Sequence, residues 1–140
     1  METADRINQR LKKLLEYVEI LNGFGRITRE ELEQEVQKRG AVERYLQLAA
    51  EVVLDVANLL NAEYKFRPAK DSADSILILG EVGVLEKGFA QELAKMAGFR
   101  NILVHDYLEI DYTVVAVILS DKLTDLEKFA GDVAKYISQH

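Results

Sequence analysis

Apolar residues recur along most of the chain at steps of three and four, the spacing of one helix face, and strand-like alternation is rare. A capping box at Thr28 and Glu31 predicts a short acidic helix with Gly40 as its stop. N-terminal to this short helix, the first run of apolar residues in the chain predicts an amphipathic helix that ends at Gly23 and Gly25. Its apolar members are Ile7, Leu11, Leu14, Leu15, Val18 and Leu21.

The longest predicted helix runs from Val42 to about Tyr64. Residues 65–71, which contain the only proline, Pro68, follow it as the main connection of the chain. This connection is either a hinge between domains or a turn between helices, and its shortness favours the turn. The apolar stripe of the long helix consists of Leu46, Ala49, Ala50, Val53, Val56, Ala57 and Leu60.

Helical spacing continues beyond this connection. Ser72 or Asp74 is expected to cap the next helix, and another helix is expected over about 86–97. Asp111 is expected to cap a final helical section. We therefore predict an all-α bundle of five to six helices that forms one domain over residues 1–140.

Three glycines, Gly80, Gly83 and Gly88, lie close together in the sequence. Such a cluster is found in phosphate-binding loops, but no Gly-Lys-Ser/Thr follows it and no predicted strand precedes it. We therefore interpret these glycines as helix ends and points of tight packing.

Composition narrows the classes of function. The formal charge of −6 argues against broad, sequence-independent DNA binding, although it leaves room for a small cationic site. The chain has no cysteine, which excludes disulfides. It has two histidines, so a metal site with several histidine ligands would need ligands from a second chain. The longest apolar stretch, 114–119, is far shorter than the roughly 20 residues of a membrane span. We expect a cytoplasmic protein with no membrane partner.

One stretch combines residues with distinctive chemistry: Arg100, His105 and Tyr107. The arginine fork suits phosphate, histidine exchanges a proton near neutral pH, and a tyrosine ring stacks on a base. Together they suit RNA cleavage in which the 2′-OH attacks, histidine moves the proton and arginine stabilises the phosphorane. Such a reaction requires no metal.

The spacing of these residues constrains that idea. On one regular helix Arg100 and Tyr107 share a side, whereas His105 lies roughly 140° around the axis from Arg100. A helix that starts or bends near Gly98, a long reach of the arginine, or a second subunit across a two-fold axis would each bring the pair together. We expect the first and third in combination.

Residues 98–107, Gly-Phe-Arg-Asn-Ile-Leu-Val-His-Asp-Tyr, resemble the Arg-x4-His-x-Tyr signature of the HepT-like subgroup of HEPN proteins. Residues 43–58 resemble the long helix of that family, with its Arg-Tyr-Leu-Gln start and Asp-x-Ala-Asn end. The resemblance covers nearly the whole chain. Leu59 departs from it, because many relatives carry a histidine there.

The resemblance implies a helical homodimer that acts as a ribonuclease toxin, with Arg100 and His105 as its catalytic pair. It also implies a type VII toxin–antitoxin partnership, in which a minimal nucleotidyltransferase of the MntA type transfers AMP from ATP to Tyr107. A bulky anionic group two residues from His105 would fill the site and repel an RNA phosphate. No cofactor and no metal are implied.

Neighbouring polar residues each have two interpretations. Asn101 either hydrogen-bonds within the site or caps a turn, and Asp106 either orients His105 or pairs with a basic residue. For Arg100 itself, the commoner role of such a residue is a surface ion pair, here with Asp106 or Glu109. Three residues of the long helix form either a buried polar network near the site or a solvated face: Glu51, Asp55 and Asn58.

Two other functions stay open. A non-catalytic adaptor of a minimal nucleotidyltransferase would bind a nucleotide or substrate at Arg100 and His105 without turnover, and the acidic charge slightly favours it. A structural dimerisation bundle would leave Arg100, His105 and Tyr107 apart or fully buried. Three residues that line one open cleft would count against the bundle.

Overall fold

The structure is a computed structural model that describes residues 2–140, and no strand occurs among them. Helix α1 spans Thr3–Gly23, α2 Arg29–Gln34, α3 Val36–Glu63, α4 Ser72–Glu81 and α5 Lys87–His105. A 3₁₀ turn, Tyr107–Glu109, leads to α6, Tyr112–Val117, and a π-helical turn, Ile118–Lys122, joins α6 to α7, Leu123–Gln139. Since α6, the π turn and α7 are continuous, they count as one helical body, and the predicted all-α bundle of five to six helices is confirmed.

One hydrophobic core joins the helices. Helix α1 packs against α3 and α7, and α4 packs against α5, so the apolar stripes predicted for α1 and α3 face each other across the core. Leu15 is an exception, because it is 45% exposed one position beyond the fully buried Leu14. Successive helix residues point about 100° apart, so only one of the two can face the core. No helix within residues 2–140 is long and apolar enough to cross a bilayer.

The N-cap at Thr28 is confirmed, since the Thr28 hydroxyl accepts a hydrogen bond from the Glu31 backbone N–H at 3.1 Å. The Glu31 carboxylate contacts the Thr28 hydroxyl at 3.5 Å rather than the Thr28 backbone N–H, so only this half of the predicted capping box forms. The predicted stop at Gly40 is wrong, because α3 begins at Val36 and runs through this glycine. A glycine costs a helix roughly 1 kcal/mol relative to alanine. Burial of apolar side chains from Val42 onward offsets that cost.

The connection between α3 and α4 is a short turn that is stabilised by a helix cap and a buried ion pair. Asp71, rather than Ser72 or Asp74, caps α4, since its Oδ1 accepts the Asp74 N–H at 2.8 Å. Asp74 is buried instead, and each of its two carboxylate oxygens accepts a hydrogen bond from one terminal nitrogen of the Arg67 guanidinium at 2.8 Å. The guanidinium and the backbone N–H of Lys70 hold the pKa of Asp74 well below its usual range. This ion pair fixes the connection to α4.

The glycines between α4 and α5 serve packing and turn geometry, as predicted. A Cβ added at Gly80 would lie 2.7 Å from the Cβ of Ala90, so the two helices approach each other closely at this point. Gly83 has a φ of +85°, in the left-handed region that favours glycine.

Candidate functional site

Helix α5 carries Arg100 and His105, and it ends at His105. It passes Gly98 without interruption, so the predicted helix start at this glycine is wrong. Buried Ala94 and Ala97 hold that part of the helix against the core. The expectation that Tyr107 shares a side with Arg100 is also wrong, because the chain leaves the helix between His105 and Tyr107.

We call residues 106–111 the motif turn. Its fold is local: the Glu109 N–H donates to the Asp106 carbonyl at 2.7 Å, and the Asp111 carboxylate accepts the Thr113 N–H at 2.9 Å, which confirms Asp111 as the α6 cap. Tyr107 is 67% exposed and Leu108 is 86% exposed. The motif turn therefore presents the Tyr107 hydroxyl to any macromolecule that docks at this end of α5.

Arg100 lies partly buried in α5. Its Nε is buried and has no hydrogen-bond partner in the described part of the chain. None of the ion pairs formed between residues 2–140 involves Arg100, so the expected surface pair with Asp106 or Glu109 is absent there. A buried N–H without a partner costs about 1–3 kcal/mol, so this position of Arg100 reduces the stability of the described chain.

His105 is exposed at the last position of α5. Along a regular helix it lies about 7.5 Å further than Arg100 and about 140° around the axis. His105 therefore lies at the exposed end of α5, two residues before Tyr107. The side chain of Arg100 extends from another side of the same helix. Arg100, His105 and Tyr107 do not line either of two surface depressions of the described chain, one apolar and one polar.

The supporting residues lie at the surface. Asn101, Asp106 and Asp55 are all exposed, and their roles at a site stay predictions. Asn58 is exposed as well, and the partly buried Glu51 accepts a hydrogen bond from Gln47, which is also on α3, at 3.0 Å. The polar residues of the long helix therefore form a solvated face rather than a buried network. Among residues 2–140, no three His, Asp or Glu side chains converge as they would around a metal ion.

An apolar groove of about 320 Å³ lies between α5 and the segment that contains α6 and the π turn. Its apolar lining consists of Leu93, Met96, Phe99, Val114, Val117 and Ile118. Its charged lining consists of Glu92, Lys95, Lys122 and Asp125. The sequence analysis missed this groove. The sequence offered one signal, because Val114 and Val117 are three residues apart and share one helix face. The structure shows that both side chains are exposed on that face.

A second, polar cleft lies between α2 and the motif turn. It is lined by Arg29 and Glu33 on one side and by residues 108–113 on the other. Near it, the Tyr112 hydroxyl donates to Glu43 of α3 at 2.7 Å. The sequence analysis did not identify this pair, because the two residues are 69 positions apart.

Comparison with known proteins gives a consistent result. A family model described as "Ribonuclease HepT-like" matches residues 14–133. The chain is 29% identical over 125 residues to the mRNA nuclease HepT of Shewanella oneidensis, covering 89% of this chain and 90% of that protein. It is 24% identical over 131 residues to the tRNA nuclease HepT of Aphanizomenon flos-aquae, covering 94% of this chain and 89% of that protein.

The fold matches a solved structure of the tri-AMPylated Shewanella oneidensis HEPN toxin in complex with its MNT antitoxin. The TM-score is 0.79 at 24% sequence identity, and the match covers 96% of this chain and 98% of that chain. The HEPN-type fold expected from the sequence is thereby confirmed.

Proposed function

Because this chain belongs to the HepT-like ribonuclease family, we propose that it is a cytoplasmic, metal-independent endoribonuclease toxin of a type VII toxin–antitoxin system. Arg100 and His105 form its catalytic pair. The observation that carries this assignment is that Arg100 forms no ion pair with any other described residue, which leaves its charge unneutralised within residues 2–140. The two HepT relatives act on mRNA and on tRNA, which supports RNA as the substrate class.

The proposed reaction uses the RNA's own 2′-OH as the nucleophile. The 2′-oxygen bonds to the adjacent phosphorus, His105 accepts the 2′-OH proton, and the bond from phosphorus to the 5′-oxygen breaks. The leaving 5′-oxygen takes up a proton from water, and His105 later releases the 2′-OH proton to solvent, so the products are a 2′,3′-cyclic phosphate and a 5′-OH end. Arg100 stabilises the additional negative charge on the phosphorane through its fixed fork of donors.

The divergence of Arg100 and His105 on α5 supports a site completed by a second copy of the chain. Four exposed apolar residues lie at or beside the apolar groove and the motif turn: Val104, Leu108, Val114 and Val117. The groove also carries two lysines and two carboxylates, and both lysines pair with Glu92 within the chain, so no excess of one charge opposes the packing of a second copy here. We propose that two copies pack through this face and that the two motifs meet across it.

Tyr107 is the proposed site of silencing. Its exposed phenol oxygen attacks the α-phosphorus of ATP bound to an MntA-like nucleotidyltransferase, and pyrophosphate leaves. Each phosphodiester that forms adds a negative charge and a nucleoside close to His105. An RNA phosphate is then repelled from the site, and the added group occupies the same space.

The test is cleavage of an RNA pool by the purified, unmodified protein in EDTA. Wild type is expected to cut RNA under these conditions, and His105→Ala is expected to lose at least about 100-fold in rate, the scale of a general acid–base group. His140→Ala is the matched control, because His140 is the only other histidine and stacks on Tyr136 at the far end of α7. An intact dimer that cuts no RNA, or a His105→Ala variant as fast as wild type, would contradict the proposal.

A non-catalytic adaptor is the second candidate, and one observation favours it. Asp106, Glu109 and Asp111 are all exposed on the motif turn, and their charge opposes the approach of RNA. Binding of ATP or AMP at Arg100 and His105, with no cleavage in any buffer, would support this function.

A further inference from the structure

The start of α6 is tied to α3 by one hydrogen bond. Tyr112 is the first residue of α6 and directly follows the motif turn, and its hydroxyl donates to a carboxylate oxygen of Glu43 at 2.7 Å. In the described chain, no other side-chain hydrogen bond joins residues 106–116 to another helix. The motif turn otherwise relies on its own short-range backbone bonds.

Arg39 adds a second contact to the same tyrosine. Its guanidinium lies over the Tyr112 ring, 5.5 Å from the ring centre, and also donates to the Glu33 carbonyl of α2 at 3.1 Å. Helices α2, α3 and α6 therefore meet at one aromatic ring. The ring is half-buried and packs against the core, so its position does not depend on the hydroxyl alone.

The hydrogen bond is insensitive to pH over the physiological range. Burial and the Glu43 carboxylate raise the pKa of Tyr112 to about 12. The phenol therefore remains protonated and able to donate over the physiological pH range.

We propose that Tyr112 is a positioning residue that acts through its hydrogen bond to Glu43. The bond restricts the motif turn to one orientation, and so fixes where the Tyr107 hydroxyl and the His105 ring point. Tyr112 itself touches neither RNA nor ATP. This inference rests on the proposed function, in which Tyr107 receives AMP and His105 transfers a proton. A misplacement of about 1 Å can lower the rate of such reactions by as much as 100-fold. The free energy of unfolding changes little with such a displacement.

The first variant is Tyr112→Phe, which keeps the ring, its packing and its contact with Arg39. With ATP and an MntA-type nucleotidyltransferase, we expect the rate of AMP addition to Tyr107 to fall about 10-fold or more in kcat, with little change in the KM for ATP. Intact mass measures the addition, and Tyr107→Phe sets the background. The rate of RNA cleavage is expected to fall as well. Tyr136→Phe, in the aromatic cluster on α7, is the matched control and is expected to behave as wild type.

Variants of Glu43 separate positioning from general destabilisation. Glu43→Gln keeps an acceptor oxygen and is expected to remain near the wild-type rate, whereas Glu43→Leu is expected to match Tyr112→Phe. The double variant, Tyr112→Phe with Glu43→Leu, is expected to be no slower than either single variant, since both remove the same bond. Wild-type rates in Tyr112→Phe, or fully additive losses in the double variant, would overturn the inference.

Amide hydrogen exchange gives a readout that does not depend on activity. Tyr112→Phe is expected to speed exchange in residues 106–111 and to leave the core of α1 and α3 unchanged. Unchanged exchange in the motif turn would overturn the inference. If wild type neither cuts RNA nor accepts AMP, the proposed function fails, and the exchange result still decides whether Tyr112 restrains the turn.

Discussion

Two arginines in this chain show how surroundings decide what a residue can do. Arg67 is saturated: its guanidinium donates to both oxygens of Asp74 and both oxygens of Glu81, at 2.8–2.9 Å. Arg100 has no ion pair with another described residue and has a buried, unpaired Nε. The same functional group is therefore fully paired in one place and without an ion-pair partner among the described residues in the other.

The Arg67 pair predicts a pH dependence of stability. Because the pKa of Asp74 is lowered in the folded state, its stabilising contribution is fully present above the unfolded-state pKa of about 4 and is lost as the pH falls below it. Asp74→Asn is therefore expected to reduce the free energy of unfolding at neutral pH and to flatten its decline between about pH 4 and pH 2. Urea unfolding across this range measures both effects. Asp5→Asn, in the exposed first turn of α1, is the control, and equal slopes in Asp74→Asn and wild type would contradict the prediction.

At the scale of elements, glycines mark helix ends only where backbone geometry demands it. The region after α1 does demand it, since Gly25 has a φ of +68°. Gly40 and Gly98 lie inside α3 and α5. Apolar residues pack against the core on both sides of Gly98, whereas at Gly40 the buried apolar residues begin beyond it, at Val42. Composition does not distinguish these cases, because the outcome depends on how much surface the neighbouring residues bury.

The close approach of α4 and α5 gives a prediction at this scale. Gly80→Ala would place a methyl group 2.7 Å from the Cβ of Ala90, so we expect a loss of about 1–3 kcal/mol in the free energy of unfolding. Gly131→Ala, on the exposed side of α7 with no atom within 4 Å of the added Cβ, is expected to gain about 0.5–1 kcal/mol instead. Chemical denaturation of both variants tests the pair. Equal changes would show that α4 and α5 can separate without cost.

At the scale of the whole molecule, the sequence predicts what short-range periodicity controls. Whereas the helix expected to end at about residue 97 continues to His105, the helical bundle and the N-cap at Thr28 follow from spacing and residue type. The apolar groove and the bond between Tyr112 and Glu43 do not, because they depend on which distant helices meet. The π turn also changes the register between α6 and α7, and no residue pattern announced it.

The apolar groove predicts an interface between two copies. Val114→Asp, at a position that is 43% exposed in the groove wall, is expected to shift the protein to monomer and to reduce RNA cleavage. Leu15→Asp, at a position that is 45% exposed on α1, is the matched control and is expected to remain a dimer. Size-exclusion chromatography with light scattering measures the mass. A dimeric Val114→Asp variant would place the interface on another face.

The exposure of Tyr107 also bears on how many copies of each partner a cell needs. A tyrosine on an open turn can be modified in the folded protein, so no unfolding step limits the reaction. If the proposed silencing operates and the nucleotidyltransferase is released after transfer, one copy can modify many toxin molecules in succession. Protection then depends on a catalytic rate and on the supply of ATP rather than on matched expression of the two proteins. A newly made toxin is dangerous only for the interval between its folding and its first encounter with the enzyme.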